Sequence, residues 1–160
     1  MSDAAARALY YEDVEVGREL ASGWYEVGRD EIVEYARRWD PFDFHLDEQA
    51  ARNSIFGGLA ACAAHVFAIN SRLSHDLPGG PFALVAGLGG DGLALLAPVR
   101  AGARVRLVRR FLEARVSKKR PEAGVVRFED RLETPEGETL FRTSGSVLLR
   151  RRDAGASTRT

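Results

Sequence analysis

The segment Leu59-Ala-Ala-Cys-Ala-Ala-His-Val-Phe-Ala-Ile-Asn-Ser-Arg-Leu73 decides the fold. It is rich in alanine, the best helix former, and a helix built from it is apolar on nearly every side. The charge-poor run that contains it, residues 55–71, is shorter than the ~20 apolar residues that a membrane span needs, and it carries His65 and Asn70. We therefore expect a buried helix from Leu59 to about Leu73, wrapped by other parts of the chain.

The chain after this helix has the pattern of β-strands. Apolar and polar residues alternate over 104–116, 125–133 and 140–149, and short apolar pieces flank a glycine-rich stretch, Gly87–Gly92. The alternation shifts near Arg109-Arg110, which predicts a β-bulge there. A buried helix followed by long antiparallel strands predicts an α+β fold in which one sheet curls around the helix.

The chain before the helix predicts smaller elements. Residues 22–27 suit a short strand. Asp30 has the residue type of a helix N-cap, and it precedes an amphipathic pattern that Pro41 ends. We expect residues 42–46 to be irregular and residues 47–52 to form one short helix before the Phe56-Gly-Gly58 turn.

Composition limits the classes of protein that this chain can be. At 160 residues and 45% hydrophobic content, it suits a single domain over residues 1–150, with 151–160 a disordered tail. Lys plus Arg and Asp plus Glu number 23 each, so no net field favours nucleic acid or an anionic membrane as partner. The only cysteine, Cys62, excludes an internal disulfide, and the N-terminus lacks a signal-peptide pattern. We expect a cytoplasmic protein.

A carboxylate and an imidazole five positions apart, Asp40 and His45, lie on the Pro-broken loop after the first helix. Loops held by rigid elements often carry catalytic side chains. An acid and a histidine aimed at one water can move two protons, one from the water and one to carbon. Hydration of a conjugated double bond requires both transfers. A loop histidine is also commonly a structural hydrogen-bonding residue, so spacing alone leaves both interpretations open.

The surrounding segment says more: Tyr35-Ala-Arg-Arg-Trp-Asp-Pro-Phe-Asp-Phe-His-Leu-Asp-Glu-Gln-Ala-Ala-Arg-Asn-Ser-Ile-Phe-Gly-Gly58. It resembles the signature of the MaoC-like dehydratases, or (R)-specific enoyl-CoA hydratases, which have the hotdog fold. That signature reads roughly aromatic-x-x-S-G-D-x-N-P-(I/L)-H-x-D, then F-G-G and a helix beginning A-H-G. The resemblance extends from about Tyr11 to Arg150. It implies an antiparallel sheet wrapped around a long central helix.

The resemblance also implies a reaction and its residues. Asp40 and His45 fall on the catalytic acid and histidine, which would add water to a trans-2-enoyl-CoA or remove it from a 3-hydroxyacyl-CoA, with His45 favoured as base. Backbone amides at Gly58 and Ala63 would polarise the thioester carbonyl. No cofactor is implied, since coenzyme A, or an acyl-carrier protein, enters only as part of the substrate. The implied assembly is a homodimer or a higher homo-oligomer.

Some positions depart from the signature. Phe42 stands where the family has Asn, and Asp43 stands where it has Pro. Asp43 could raise the pKa of a neighbouring carboxyl or simply face solvent. Gly57 could let substrate approach or only form the turn. His65 could line the acyl pocket or be a satisfied core histidine.

Three other interpretations bear on function. A non-catalytic hotdog protein that binds acyl-CoA or only assembles with partners stays open. An acyl-CoA thioesterase is disfavoured, because residues 59–73 contain no acid. A thiol nucleophile at Cys62 is rejected, since a cysteine inside an alanine-rich helix is usually inert. No histidines and acids have metal-ligand spacing, so we expect no metal site.

Overall fold

The computed structural model describes residues 8–152. Its strands are β1 Glu19–Ala21, β2 Tyr25–Glu26, β3 Leu84–Leu95, β4 Arg104–Val116, β5 Ala123–Glu133 and β6 Thr139–Arg150. They form one antiparallel sheet in the order β1-β4-β5-β6-β3, with β2 also pairing with β4, so that β3 is an edge strand. Of the expected strand over 22–27, only the two residues of β2 are in a strand, and β1 ends just before this range.

The helices pack against this sheet. A single 3-10 turn, Tyr11–Asp13, precedes α1 Arg29–Trp39, α2 Asp43–Leu46, α3 Glu48–Arg52 and α4 Ala63–Ser74. Val66, Ile69 and Leu73 of α4 join a core cluster with inward-facing residues of β4, β5 and β6. This arrangement confirms the expected α+β hotdog fold, a sheet wrapped around a central helix. None of the helices in the described residues is long and apolar enough to cross a membrane.

The central helix begins four residues later than predicted. Residues 59–61 are extended instead, because they pair with residues 99–101: Ala61 N–H donates to the Val99 carbonyl over 2.8 Å, and Ala101 N–H donates to that of Leu59 over 3.0 Å. Cys62 then serves as the N-cap. This pairing outweighs the helix propensity of the alanines. One face of α4 remains open, with Phe67 43% exposed.

The bulge predicted near Arg109-Arg110 is present in β4, but it lies just beyond these two residues. Val105, Leu107, Arg109 and Phe111 are all buried on one face of β4, and the register shift lies after them, between Phe111 and Glu113. Arg109 interrupts the apolar pattern because an arginine occupies a core position, as opposed to a change in strand register.

Smaller expectations near α1 and α2 had mixed outcomes. Gly28, not Asp30, is the N-cap of α1, and the predicted irregular segment 42–46 contains the single turn of α2. The short helix over 47–52 is confirmed, with Asp47 as its N-cap accepting the Ala50 N–H over 2.8 Å.

The glycine-rich stretch Gly87–Gly92 lies inside a kinked strand. β3 is continuous, but its pairing with β6 shifts register around Gly89 and near Gly92, and these two glycines have φ of 109° and 64°. Residues that carry a side chain rarely adopt such backbone angles, so both positions favour glycine. Nearly every residue of β3 is exposed.

The two ends of the described chain meet. Arg152 N–H donates to Glu12 over 3.1 Å, and its guanidinium lies 5.0 Å from the Tyr10 ring centre and binds Asp13. Residues 153–160 of the predicted tail lie outside the described residues. The assignment of residues 1–150 to one domain stays a prediction.

Candidate active site

Asp40 lies at the point where the chain leaves α1. It is the C-cap, with its N–H donating to the Ala36 carbonyl over 2.9 Å, and Pro41 follows. Phe42 N–H then donates to the Asp40 carbonyl over 2.9 Å, and His45 N–H donates to the Phe42 carbonyl over 2.9 Å. These bonds form the tight reversal that carries Asp40 at one end and His45 at the other.

His45 is held in one orientation. Its side chain is 6% exposed, and its Nδ1 lies 2.7 Å from the Ala60 carbonyl oxygen. A carbonyl oxygen only accepts, so Nδ1 carries the proton of this bond. In the neutral ring, Nε2 is then left with its lone pair. Phe44 and Phe56 pack around the ring, with centroids 4.6 and 6.0 Å away.

The N-terminus of α4 lies next to this loop. Ala60, which binds His45, is three residues before Ala63, the first residue of the helix. Ala63 is exposed, and the first N–H groups of a helix have no intrahelical acceptor. Together with the helix dipole, they favour negative charge at this end.

Cys62, the N-cap residue, lies at the same end of the helix, and its pKa shows which groups act there. Burial raises the pKa of its thiol, and the charge of Asp40 raises it further, although the backbone N–H groups of His65 and Ala64 act in the opposite direction. The charge of Asp40 therefore acts on the residue at the start of α4. A thiol with a raised pKa is a poor nucleophile at neutral pH, which agrees with the rejection of Cys62 from the sequence.

The remaining loop residues surround the site with little polar contact. Phe42 is 59% exposed and its ring stacks on Phe44 at 5.4 Å, while the Asp43 side chain is exposed at the start of α2. Gly57 has a φ of 65°, and Gly58 leads from it into the extended residues. The structure therefore places Asp43 at the surface, the simpler of its two expected positions.

His65 belongs to a separate cluster between α1 and α4. Its Nε2 lies 2.8 Å from Glu31, whose other carboxylate oxygen accepts the Tyr25 hydroxyl over 2.6 Å, and the Tyr35 ring stacks on the imidazole at 4.5 Å. His65 Nδ1 is buried without a partner among the described residues. Burial, and then Glu31, raise the pKa of Tyr25 to about 12. The cluster borders a cavity of about 370 Å³ that does not include Asp40 or His45.

A second polar cluster lies on another side of α4, and the sequence analysis missed it. Arg109 binds both oxygens of Asp130, through Nε at 2.7 Å and Nη2 at 2.8 Å, and Asn70 of α4 donates to Asp130 over 2.9 Å. All three residues are at most 4% exposed. They border a cavity of about 540 Å³ between α4 and strands β3 and β6. One feature of the sequence could have identified this cluster: Asn70, Arg109 and Asp130 each occupy a position where the surrounding pattern predicts an apolar residue.

The described residues contain no group of three His, Cys, Asp or Glu side chains arranged to hold a metal ion.

Solved structures similar to this one include hydratases and dehydratases. A MaoC-like dehydratase from Rhodospirillum rubrum is 34% identical, covers 91% of this chain and 99% of its own, and has a TM-score of 0.82. The R-hydratase PhaJ1 from Pseudomonas aeruginosa is 19% identical, with 96% of each chain covered and a TM-score of 0.71. A truncated HadBC (3R-hydroxyacyl-ACP dehydratase) complex from Mycobacterium tuberculosis is 15% identical, covers 83% of this chain and 96% of its own, and has a TM-score of 0.66.

The family itself is shown by sequence. The sequence model of the family described as MaoC like domain matches residues 13–132, three quarters of the chain. The chain belongs to this family of MaoC-like hydratases and dehydratases. No curated protein sequence matches it.

Proposed function

We propose that the protein hydrates trans-2-enoyl thioesters of coenzyme A, and in reverse dehydrates 3-hydroxyacyl thioesters, with Asp40 and His45 as the acid–base pair. The observation that carries this proposal is the fixed orientation of His45. Because Nδ1–H donates to the Ala60 carbonyl, Nε2 is the nitrogen free to take a proton from water. His45 is thereby suited to be the base.

The proposed reaction takes both fragments of one water. In the proposed step Asp40 enters as the protonated acid: His45 Nε2 accepts a proton as the water oxygen bonds to the β-carbon, and Asp40 gives its proton to the α-carbon and becomes a carboxylate. Proton transfer from His45 to Asp40 through a further water restores the pair. Nothing in this balance requires a cofactor, and coenzyme A serves only as part of the substrate.

The thioester oxygen gains negative charge as water adds, so donors placed there lower the barrier. The N–H of Ala63, the first residue of α4, is suited to this role, and the N–H of Gly58 is the proposed second donor. Backbone donors survive the change from the family's glycine to Ala63, because the side chain takes no part in the bond. Gly57, at a φ of 65°, supplies the turn just before Gly58.

We also propose a homodimer formed through β3, with acyl-CoA entering between the subunits. The free edge of β3 presents unpaired backbone groups, and its side chains include Leu88 and Leu93 at 52% and 53% exposure. Such an edge is a template for pairing with another strand. Pairing two copies in this way removes both edges.

The decisive experiment follows the loss of the conjugated absorbance of short and medium trans-2-enoyl-CoA thioesters. We expect turnover by the wild type and losses of roughly 10²- to 10⁴-fold in Asp40→Asn and His45→Gln. Asp43→Asn is the matched control, since the Asp43 side chain is exposed on the same loop, and it should retain activity.

Other outcomes identify the other functions. Release of free thiol in place of hydration would indicate a thioesterase, although α4 has no acid to support one. Saturable binding of acyl-CoA without any turnover would indicate a non-catalytic binding protein. Wild-type rates in both catalytic variants would exclude the proposed pair.

A further inference from the structure

The cavity between α4 and strands β3 and β6 has both apolar and polar side chains in its wall. Its apolar side chains include Phe67, Phe82 and Phe128. Its wall also contains the buried cluster of Arg109, Asp130 and Asn70, each at most 4% exposed. Burying a charged pair is costly, and apolar residues of similar volume often replace such pairs without loss of stability. This polar cluster therefore calls for an explanation beyond stability.

Two atoms of this cluster lack partners. Asp130 only accepts, so the amide nitrogen of Asn70 must face it, which directs Oδ1 elsewhere. Asn70 Oδ1 is buried with no hydrogen bond among the described residues. Arg109 uses Nε and Nη2 on Asp130, and no hydrogen bond from its Nη1 is found within residues 8–152. The cluster thus offers a donor nitrogen, Arg109 Nη1, and an acceptor oxygen, Asn70 Oδ1, to a ligand in the cavity.

The cavity lies beside α4, on the helix face that also carries Ala63, the first residue of the helix. Ala63, Phe67, Asn70 and Ser74 follow one another at helical spacing, so they share one face, and the last three border the cavity. Asn70 is seven residues after Ala63, which at 1.5 Å per residue is about 10 Å along the helix. An extended chain covers this distance in roughly eight to nine bonds.

We propose, resting on the proposed function, that this cavity holds the acyl chain of the substrate. Arg109 and Asn70 then recognise a hydroxyl group near the end of that chain that is far from the thioester. A hydroxyl accepts from Arg109 Nη1 and donates to Asn70 Oδ1, which satisfies both atoms. A terminal carboxylate fits less well, because Asp130 already neutralises Arg109 and would repel a second negative charge. A plain alkyl end leaves both atoms unpaired, which disfavours it.

The test compares 8-hydroxyoctanoyl-CoA with nonanoyl-CoA, in which a methyl group replaces the hydroxyl. Both are saturated, so neither can be hydrated, and calorimetry measures binding apart from catalysis. We expect the hydroxylated thioester to bind roughly 3- to 10-fold more tightly to the wild type. Asn70→Leu should remove that preference. Asn70→Ala, which needs no extra space, is the second variant, and Asn53→Leu, the same change as Asn70→Leu at an exposed asparagine outside the cavity, is the control that keeps the preference.

Each outcome has one meaning. Equal binding, tighter binding of nonanoyl-CoA, absence of binding, or a preference that survives both Asn70 variants would overturn the proposal. A preference lost in both Asn70 variants supports it, whether or not the protein hydrates the corresponding enoyl thioesters. Failure of turnover alone would refute the hydratase and leave the recognition of the hydroxyl standing.

Discussion

Arg109 and Asp130 lie directly opposite each other on β4 and β5, joined by two hydrogen bonds of 2.7 and 2.8 Å inside the core. The guanidinium also lies over the Phe128 ring, 3.9 Å from its centre. Two parallel bonds to one carboxylate, a stacked ring and a third bond from Asn70 offset part of the cost of removing both charges from water.

Breaking this pair should be far more damaging than breaking a surface pair. We expect Asp130→Leu to lower the free energy of unfolding by about 3–5 kcal/mol, because it leaves a buried, unpaired arginine. Glu113→Gln is the control: it removes the partner of Arg127 at 3.4 Å, where both side chains are exposed, and should change stability by less than about 1 kcal/mol. Urea unfolding measures both. Equal effects would mean that the buried pair is dispensable.

The ring of Tyr11 occupies the space where Gly124 has no side chain. A Cβ at position 124 would overlap that ring. We expect Gly124→Ala to destabilise the protein by about 1–3 kcal/mol in thermal or urea unfolding. Gly23→Ala, which meets nothing within 4 Å, is the control. If the overlap is the cause, Gly124→Ala should cost much less in a Tyr11→Ala background, and an undiminished cost there would contradict it.

The raised pKa of Tyr25 predicts how stability depends on pH. The pKa is about 12 in the folded protein, chiefly because of burial, against 10.0 as its ordinary value. The unfolded chain therefore releases this proton first as pH rises. The contribution of Tyr25 is complete below pH 10 and is lost between pH 10 and 12. The free energy of unfolding, measured with urea across this pH range, should fall less steeply in Tyr25→Phe than in the wild type. Parallel curves would refute the assignment.

Pairing through β3 predicts a change of assembly. Lysine at both Leu88 and Leu93 should reduce the dimer to a monomer in sedimentation at micromolar concentration, since charges on an edge strand oppose pairing. Ile55→Lys introduces the same charge at a side chain that is 96% exposed elsewhere, and it should leave the dimer intact. A monomeric wild type would contradict the proposed dimer.

Much of the fold could be predicted because it depends on local patterns. Alternation identified β4, β5 and β6, and the alanine-rich run identified α4. The start of α4 could not be predicted, because Ala60 and Ala61 are good helix formers whose backbone instead pairs with residues 99–101. That pairing is set by a segment some 40 residues away, and tertiary contacts override local propensity.

For the candidate site as well, local sequence predicted some features, while others depend on distant parts of the chain. Residue types and order indicated Asp40 and His45, but the orientation of His45 depends on the Ala60 carbonyl, which becomes available only through the extended backbone. The break in alternation at Arg109 predicted a bulge, whereas Arg109 itself lies in the core, where it pairs with Asp130 of another strand. A pattern along one strand contains no information about a charge on the next.

The contact of Arg152 with Tyr10 and Glu12 means that the two ends of the described segment, residues 8–152, lie side by side. A circularly permuted gene, with a short linker from residue 152 to residue 8 and new termini in the Pro135-Glu-Gly137 turn, would therefore keep every strand pairing. β5 and β6 would then be the last and first elements synthesised. Their pairing would change from a local hairpin to the longest-range contact of the chain, and folding should slow while the final structure stays the same.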